Sequence, residues 1–142
     1  MYVSIEAAKK YLKGGPRRNL FFEPKEVRAC IVTCGGLCPG LNVVIRELVM
    51  SLHFNYNVKE VYGIQFGYKG FYSYDWIKLH PETVKKIHLV GGTYLGTSRG
   101  GFDLEKIVQN IIDHDVNQVI FISFAQKSQV ISGLCHRRRR HT

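Results

Sequence analysis

Two glycine-rich segments carry the residue types best suited to chemistry. The first reads Gly35-Gly36-Leu37-Cys38-Pro39-Gly40-Leu41-Asn42, and the second reads Gly91-Gly92-Thr93-Tyr94-Leu95-Gly96-Thr97-Ser98-Arg99-Gly100-Gly101. A tight glycine turn that opens a helix points unpaired backbone N–H groups outward, where the helix dipole favours an anion. Glycine also lets the backbone approach a phosphate closely and take positive φ. Gly35 and Gly36 suit that role, with Pro39 leading into the helix. In the second segment Arg99 stands between the hydroxyls of Thr97 and Ser98 and the glycines Gly100 and Gly101. A guanidinium fork matches phosphate oxygens, and phosphoryl transfer spreads negative charge that such a group neutralises. The first segment does not have the G-x-G-x-x-G spacing of a dinucleotide fingerprint, nor the G-K-[ST] ending of a P-loop. Its rival reading is a plain strand-to-helix turn; that of Arg99 is a solvated loop arginine.

The elements that must position these residues follow from local pattern. Residues 29–33, Ala-Cys-Ile-Val-Thr, are short, apolar and β-branched, and predict a buried parallel strand. Leu41, Val44, Ile45, Leu48, Val49 and Leu52 form a continuous helical stripe, and residues 58–64 predict a second strand. Strand, turn, helix and strand make a βαβ unit with right-handed crossover. Residues 67–71 read as a loop, and residues 81–88 as a short helix with Pro81 in its first turn. Asp103 is placed to cap a helix whose apolar face holds Leu104, Ile107, Val108, Ile111 and Ile112, with Glu105 favourable to its dipole. Residues 119–123 predict a third buried strand. Both glycine turns are expected to end βα steps of one sheet, at the carboxyl edge where ligands bind.

Composition narrows the function classes. The chain has 142 residues, 45% hydrophobic and 22% charged, enough for one domain with a modest core. No run approaches the roughly 18 apolar residues of a membrane span, and the start has no sustained apolar core of a secretory signal. The net charge is +9, but Lys127 and Arg137, Arg138, Arg139 and Arg140 lie beyond the last acid, Asp115; without those five the charge is +4. The basicity is therefore half in a short tail, which argues against nucleic acid as a partner. Four cysteines, Cys30, Cys34, Cys38 and Cys135, form no C-x-x-C pair and are read as free thiols. Cys30 and Cys34, four apart on a strand, share a face as small buried hydrophobes. Cys135-His136 with His141 is read as an accidental likeness to metal ligands. Residues 5–13 predict a helix stopped by Gly14-Gly15-Pro16, within a solvated basic arm of Lys9, Lys10, Lys13, Arg17 and Arg18.

Residues 32–42, Val-Thr-Cys-Gly-Gly-Leu-Cys-Pro-Gly-Leu-Asn, resemble the first phosphate loop of the 6-phosphofructokinases, and residues 91–101 resemble that family's second loop. The cysteines and Leu37 are typical of the plant-type ATP-dependent group, as are Gly15-Pro16-Arg17 and Phe22-Glu23-Pro24. The resemblance runs from about Gly15 to Phe121. It implies an α/β fold, part of a doubly wound parallel sheet of Rossmann type, and phosphorylation of fructose 6-phosphate by ATP with Mg²⁺ in glycolysis. It further implies that Gly35 and Gly36 contact the ATP phosphates, that Arg99 and Gly100 line the same site, and that Arg99 bridges the transferred phosphate. No effector role is carried to Arg46.

The pattern breaks after the third predicted strand. The family continues there into Gly-Gly-Asp-Gly-Thr, whose Asp serves Mg²⁺, whereas this chain reads Ser123-Phe124-Ala125-Gln126-Lys127-Ser128. The later motif with the catalytic base, Pro-Lys-Thr-Ile-Asp-Asn-Asp, is not found. Without these groups neither the nucleotide charge nor the sugar hydroxyl is served, so no turnover is expected from this chain alone. The organisation expected is a basic arm over 1–28, a partial nucleotide-binding domain over 29–123 and a divergent basic tail over 124–142, with an unpaired sheet edge and an uncovered apolar face. Two other readings stay open: a remnant that binds nucleotide phosphates or pairs with full-length subunits or its own copies, and a nucleic-acid or membrane-surface binder acting through Arg137 to Arg140. The expected location is the cytoplasm, with the plastid as the alternative.

Overall fold

A computed structural model describes residues 15–123. The predicted helix over 5–13, the basic tail and its Cys135, His136 and His141 lie outside the described residues. Strand β1 (Arg28–Cys34) is the centre of a four-stranded sheet of order β3-β2-β1-β4, with β2 at Glu60–Ile64, β3 at Ile77–Lys78 and β4 at Gln118–Ser123. Both neighbours of β1 run parallel to it, Ile31 pairing with Gly63 on one side and with Ile120 on the other. Six of its seven residues are buried. That is why its run is continuously apolar: a strand covered on both faces has no solvent side to alternate with.

Period two divides β1 between two cores. Ala29 and Ile31 pack with Leu41, Ile45 and Val49 of helix α1 (Leu41–Met50) on one face. Cys30, Val32 and Cys34 pack on the other face with Phe71 of helix α2 (Gly70–Ser73) and Ile107 of helix α4 (Leu104–Asp113). Helices therefore cover both faces, the doubly wound arrangement expected. Because β2 and β4 flank β1 on opposite sides, the strand order reverses at β1, and the crevice beyond its carboxyl end is the topological switch point where ligands bind.

Several local expectations are corrected. The sheet is mixed, because β3 pairs antiparallel with β2 at Tyr62–Lys78 and Gly63–Ile77. The one-turn helix α2 spans about 6 Å at 1.5 Å per residue, too little to return the chain along the whole of β2 for a parallel re-entry. Residues 67–71 are not open loop but a 3₁₀ turn (Gly67–Lys69) running into α2. Gly70 is required there, since a Cβ would lie 1.8 Å from the Gln65 carbonyl oxygen. The predicted helix over 81–88 divides into α3 (Pro81–Val84) and a 3₁₀ turn (Ile87–Leu89). In α1, Val44 is exposed although it belongs to the apolar stripe, and α1 ends in a π turn over Ser51–Asn55. Residues of β4 are only half-buried or exposed, and Leu104 and Ile112 of α4 are each more than half exposed.

Candidate phosphate-binding site

The first loop leaves β1 at Cys34 and turns at Gly35, whose φ of 87° is a left-handed conformation that favours glycine. It closes at Gly40, φ 86°, which precedes α1 and contributes no side-chain cap. The first-turn N–H groups of α1 therefore have no capping side chain. The second loop lies along the same edge. Gly35 N–H donates to the Ser98 carbonyl oxygen at 3.0 Å, the Thr97 hydroxyl donates to the Gly35 carbonyl oxygen at 2.9 Å, and Thr33 Oγ1 donates to the Gly96 carbonyl oxygen. Cys34 and Ser98 form an isolated parallel bridge. The second loop thus adds a short rung to β1 rather than following a strand of its own, which corrects the expected βα step. The segment before it is the 3₁₀ turn Ile87–Leu89, and sheet-like contact begins only near Leu95, whose carbonyl oxygen accepts from Phe66 N–H at 2.8 Å.

The four residues picked from sequence come together at this edge, in two different ways. Gly35 belongs to the scaffold, through its φ and its hydrogen bonds. Gly36 and Gly100 do not: a Cβ on either would meet no heavy atom within 4 Å, and neither takes positive φ. Nothing in the fold demands glycine at 36 or 100, and the space beside both is free for a ligand oxygen. Arg99 is exposed and has no hydrogen-bond or ion-pair partner among the described residues. Asp103 caps α4 by accepting from Lys106 N–H at 3.3 Å and pairs with Lys106 Nζ at 2.9 Å. That lysine holds the Asp103 carboxyl below its usual range, so it stays ionised at the end of the loop.

Three contributors were not picked out from sequence. Lys69 backs the second loop, its Cβ lying 2.8 Å from where a Cβ on Gly101 would stand; its place between Gly67 and Gly70 was the available signal. Thr33 and Asn42 are buried polar residues at 1% and 5% exposure that bind second-loop backbone. A threonine in a strand and an asparagine in a helix give no such signal alone.

Chemistry by the nearby thiols is disfavoured. Burial pushes the Cys30 thiol up to about 12 and that of Cys34 up to about 11, the latter offset by hydrogen bonding with Tyr68. Both remain neutral at physiological pH. Clefts of about 540 and 420 Å³ flank the first loop on the side of Ile87 and Val90, but Gly35, Gly36 and Arg99 line neither. Among the described residues the candidate site is an edge formed by the paired loops. The open space beside Gly36 and Gly100 fits a polyphosphate. For Mg²⁺ the described residues offer no group of three or more His, Cys, Asp or Glu side chains able to hold a metal. No helix among them is long and apolar enough to cross a membrane.

A family described as Phosphofructokinase matches residues 28–138. The chain is 55% identical over 112 residues to ATP-dependent 6-phosphofructokinase 7 of Arabidopsis thaliana, covering 79% of this chain and 23% of that protein. It is 54% identical over 112 residues to the same plant's ATP-dependent 6-phosphofructokinase 4, chloroplastic, covering 79% of this chain and 21% of the relative. The chain spans about a quarter of the length of the curated relatives it matches. Among solved structures, Pichia pastoris phosphofructokinase in the T-state superposes with a TM-score of 0.60 at 24% identity, over 67% of this chain and 11% of that one. That likeness shows the fold.

Proposed function

The chain belongs to the phosphofructokinase family, and from that premise we propose that it forms the donor-phosphate edge of an ATP-dependent 6-phosphofructokinase, the enzyme that moves the terminal phosphoryl of ATP to fructose 6-phosphate and yields ADP and fructose 1,6-bisphosphate. The observation that carries this reading is the Gly35–Ser98 backbone bond, which joins two glycine-rich loops at the carboxyl end of β1. The space left beside Gly36 and Gly100 would admit phosphate oxygens, with the Gly100 N–H shared with Ser98 Oγ at 3.4 Å, and Arg99, one residue beyond the bond, would bridge the transferred phosphate. ATP is preferred over pyrophosphate on the plant-type wording of the first loop and on the names of the relatives. No step is assigned to Mg²⁺, since the described residues do not fit it.

The chain as it stands would bind but not transfer. After β4 it reads Phe124-Ala125-Gln126 where the family carries glycines and the acid that serves the metal. A second role, pairing with its own copies or with full-length subunits, draws on the half-exposed β4 and the exposed Leu104 and Ile112. We place the protein in the cytoplasm, with the plastid as alternative because one close relative is named chloroplastic. The test is ATP binding by titration calorimetry alongside a coupled assay of fructose 1,6-bisphosphate formation. Binding without turnover, weakened in Gly36→Asp and Arg99→Ala, supports the reading; turnover abolished by Arg99→Ala would overturn its inactive part, and absence of binding would overturn the whole.

A further inference from the structure

We propose that Asn42 is a positioning residue for the phosphate edge, fixing the upstream end of the second loop so that Arg99 is presented in a closed rather than a swinging loop. The proposal rests on the phosphate-binding reading above.

Asn42 lies in the first turn of α1 and is 5% exposed. Its side-chain amide makes three hydrogen bonds, all to backbone some 45 to 52 residues away: Nδ2 donates to the Ile87 carbonyl oxygen at 3.1 Å and to that of Val90 at 3.0 Å, and Oδ1 accepts from Tyr94 N–H at 2.7 Å. Both amide protons are used, and so is the oxygen. These three points bracket the start of the second loop.

Among the described residues little else holds that stretch. Ile87 and Leu95 are buried, but no residue between them is, and Leu89 and Val90 expose 73% and 66% of their surface. No strand of the sheet runs through it. Burial of apolar side chains therefore cannot set its path, and the amide of Asn42 stands in for the ladder bonds it lacks. Downstream, the Gly35–Ser98 bond and Thr97 hold the other end. The second loop is thus tied at 87–94 to α1 and at 97–98 to the first loop, with Arg99 following directly on the second tie, and both ties depend on α1 and β1 meeting at one edge. Holding a loop in its binding geometry raises affinity by removing an ordering cost at the moment of binding.

Native-state amide exchange tests the clamp without any ligand. In Asn42→Ala, Tyr94 N–H should lose its protection while amides of β1 such as Ile31 keep theirs; unchanged protection of Tyr94 overturns the proposal. Titration with ATP then tests its link to Arg99. The Asn42→Ala change should weaken binding by about tenfold in a chain that keeps Arg99 and by much less in one that carries Arg99→Ala, a non-additivity that a merely structural role does not produce. Additive losses overturn it. Should Asn42→Ala not fold, Asn42→Asp keeps the acceptor for Tyr94 but turns a carboxylate toward two carbonyl oxygens. Its affinity relative to wild type should recover as pH falls and the carboxyl regains a donor proton; a flat relative profile counts against the clamp. A wild-type chain that binds no ATP overturns the phosphate reading instead, and the exchange measurement alone then decides the clamp.

Discussion

Gly35 gives its N–H to the Ser98 carbonyl oxygen at 3.0 Å, joining residues that stand 63 apart in the chain. Through this bond the loop that ends β1 and the loop that carries Arg99 become one surface. Its neighbours reinforce it from both sides, Thr97 donating to Gly35 and Thr33 to Gly96.

The glycines of this chain separate into those the fold needs and those it does not. Gly36→Ala introduces no clash and no left-handed strain, so its melting temperature should equal or exceed that of wild type, as a smaller unfolded-state entropy implies. ATP binding should nonetheless fall. Gly70→Ala should do the opposite, because its Cβ would overlap the Gln65 carbonyl oxygen and force the turn apart, a loss of roughly 3 kcal/mol or more. Calorimetric melts and ATP titrations on the two variants check both halves.

Loss of the Arg99 side chain should be felt in binding and not in the fold. It is exposed and has no partner to lose among the described residues, so Arg99→Ala should leave stability within about 0.5 kcal/mol of wild type. Its effect should appear in ATP affinity, and should shrink as salt screens the charge. Urea melts paired with titrations at two ionic strengths measure this.

Thr33 joins the loops from inside the core. Thr33→Val preserves shape at a position 1% exposed but takes the donor from the Gly96 carbonyl oxygen. The expected loss is about 1–3 kcal/mol, read as a lower urea midpoint with unchanged slope. Thr33→Ser, which keeps the hydroxyl, should lose only about 0.8 kcal/mol for the missing methyl.

The buried thiols make stability fall in alkali. Cys30 and Cys34 titrate near 12 and 11 in the folded chain, against about 8.5 when unfolded. Between those values the folded state binds more protons than the unfolded state. Their contribution is therefore whole below about pH 8.5 and is lost as pH climbs through the folded values, by at most about 1.4 kcal/mol per pH unit for each thiol. Denaturant melts from pH 8 to 10.5 should show the decline, and Cys30→Ala should reduce it. In the native chain at pH 8, iodoacetamide should label Cys38, which is half-buried, while sparing Cys30 and Cys34.

What the amino-acid sequence determined by itself was local: the apolar run of β1, the turn glycines, the stripe of α1, the cap at Asp103, and the paired motifs that mark the family. Each depends on neighbours within a turn or two, where periodicity and backbone sterics act. The tertiary structure alone decided that β3 runs antiparallel, that the second loop has no strand of its own, and that Asn42 reaches 52 residues to Tyr94. It alone separated Gly36, which borders open space, from Gly35, tied into the scaffold. Those facts depend on where crossovers return the chain, and an asparagine or a glycine reads the same in sequence whether its partner is solvent, a phosphate or a carbonyl half a domain away.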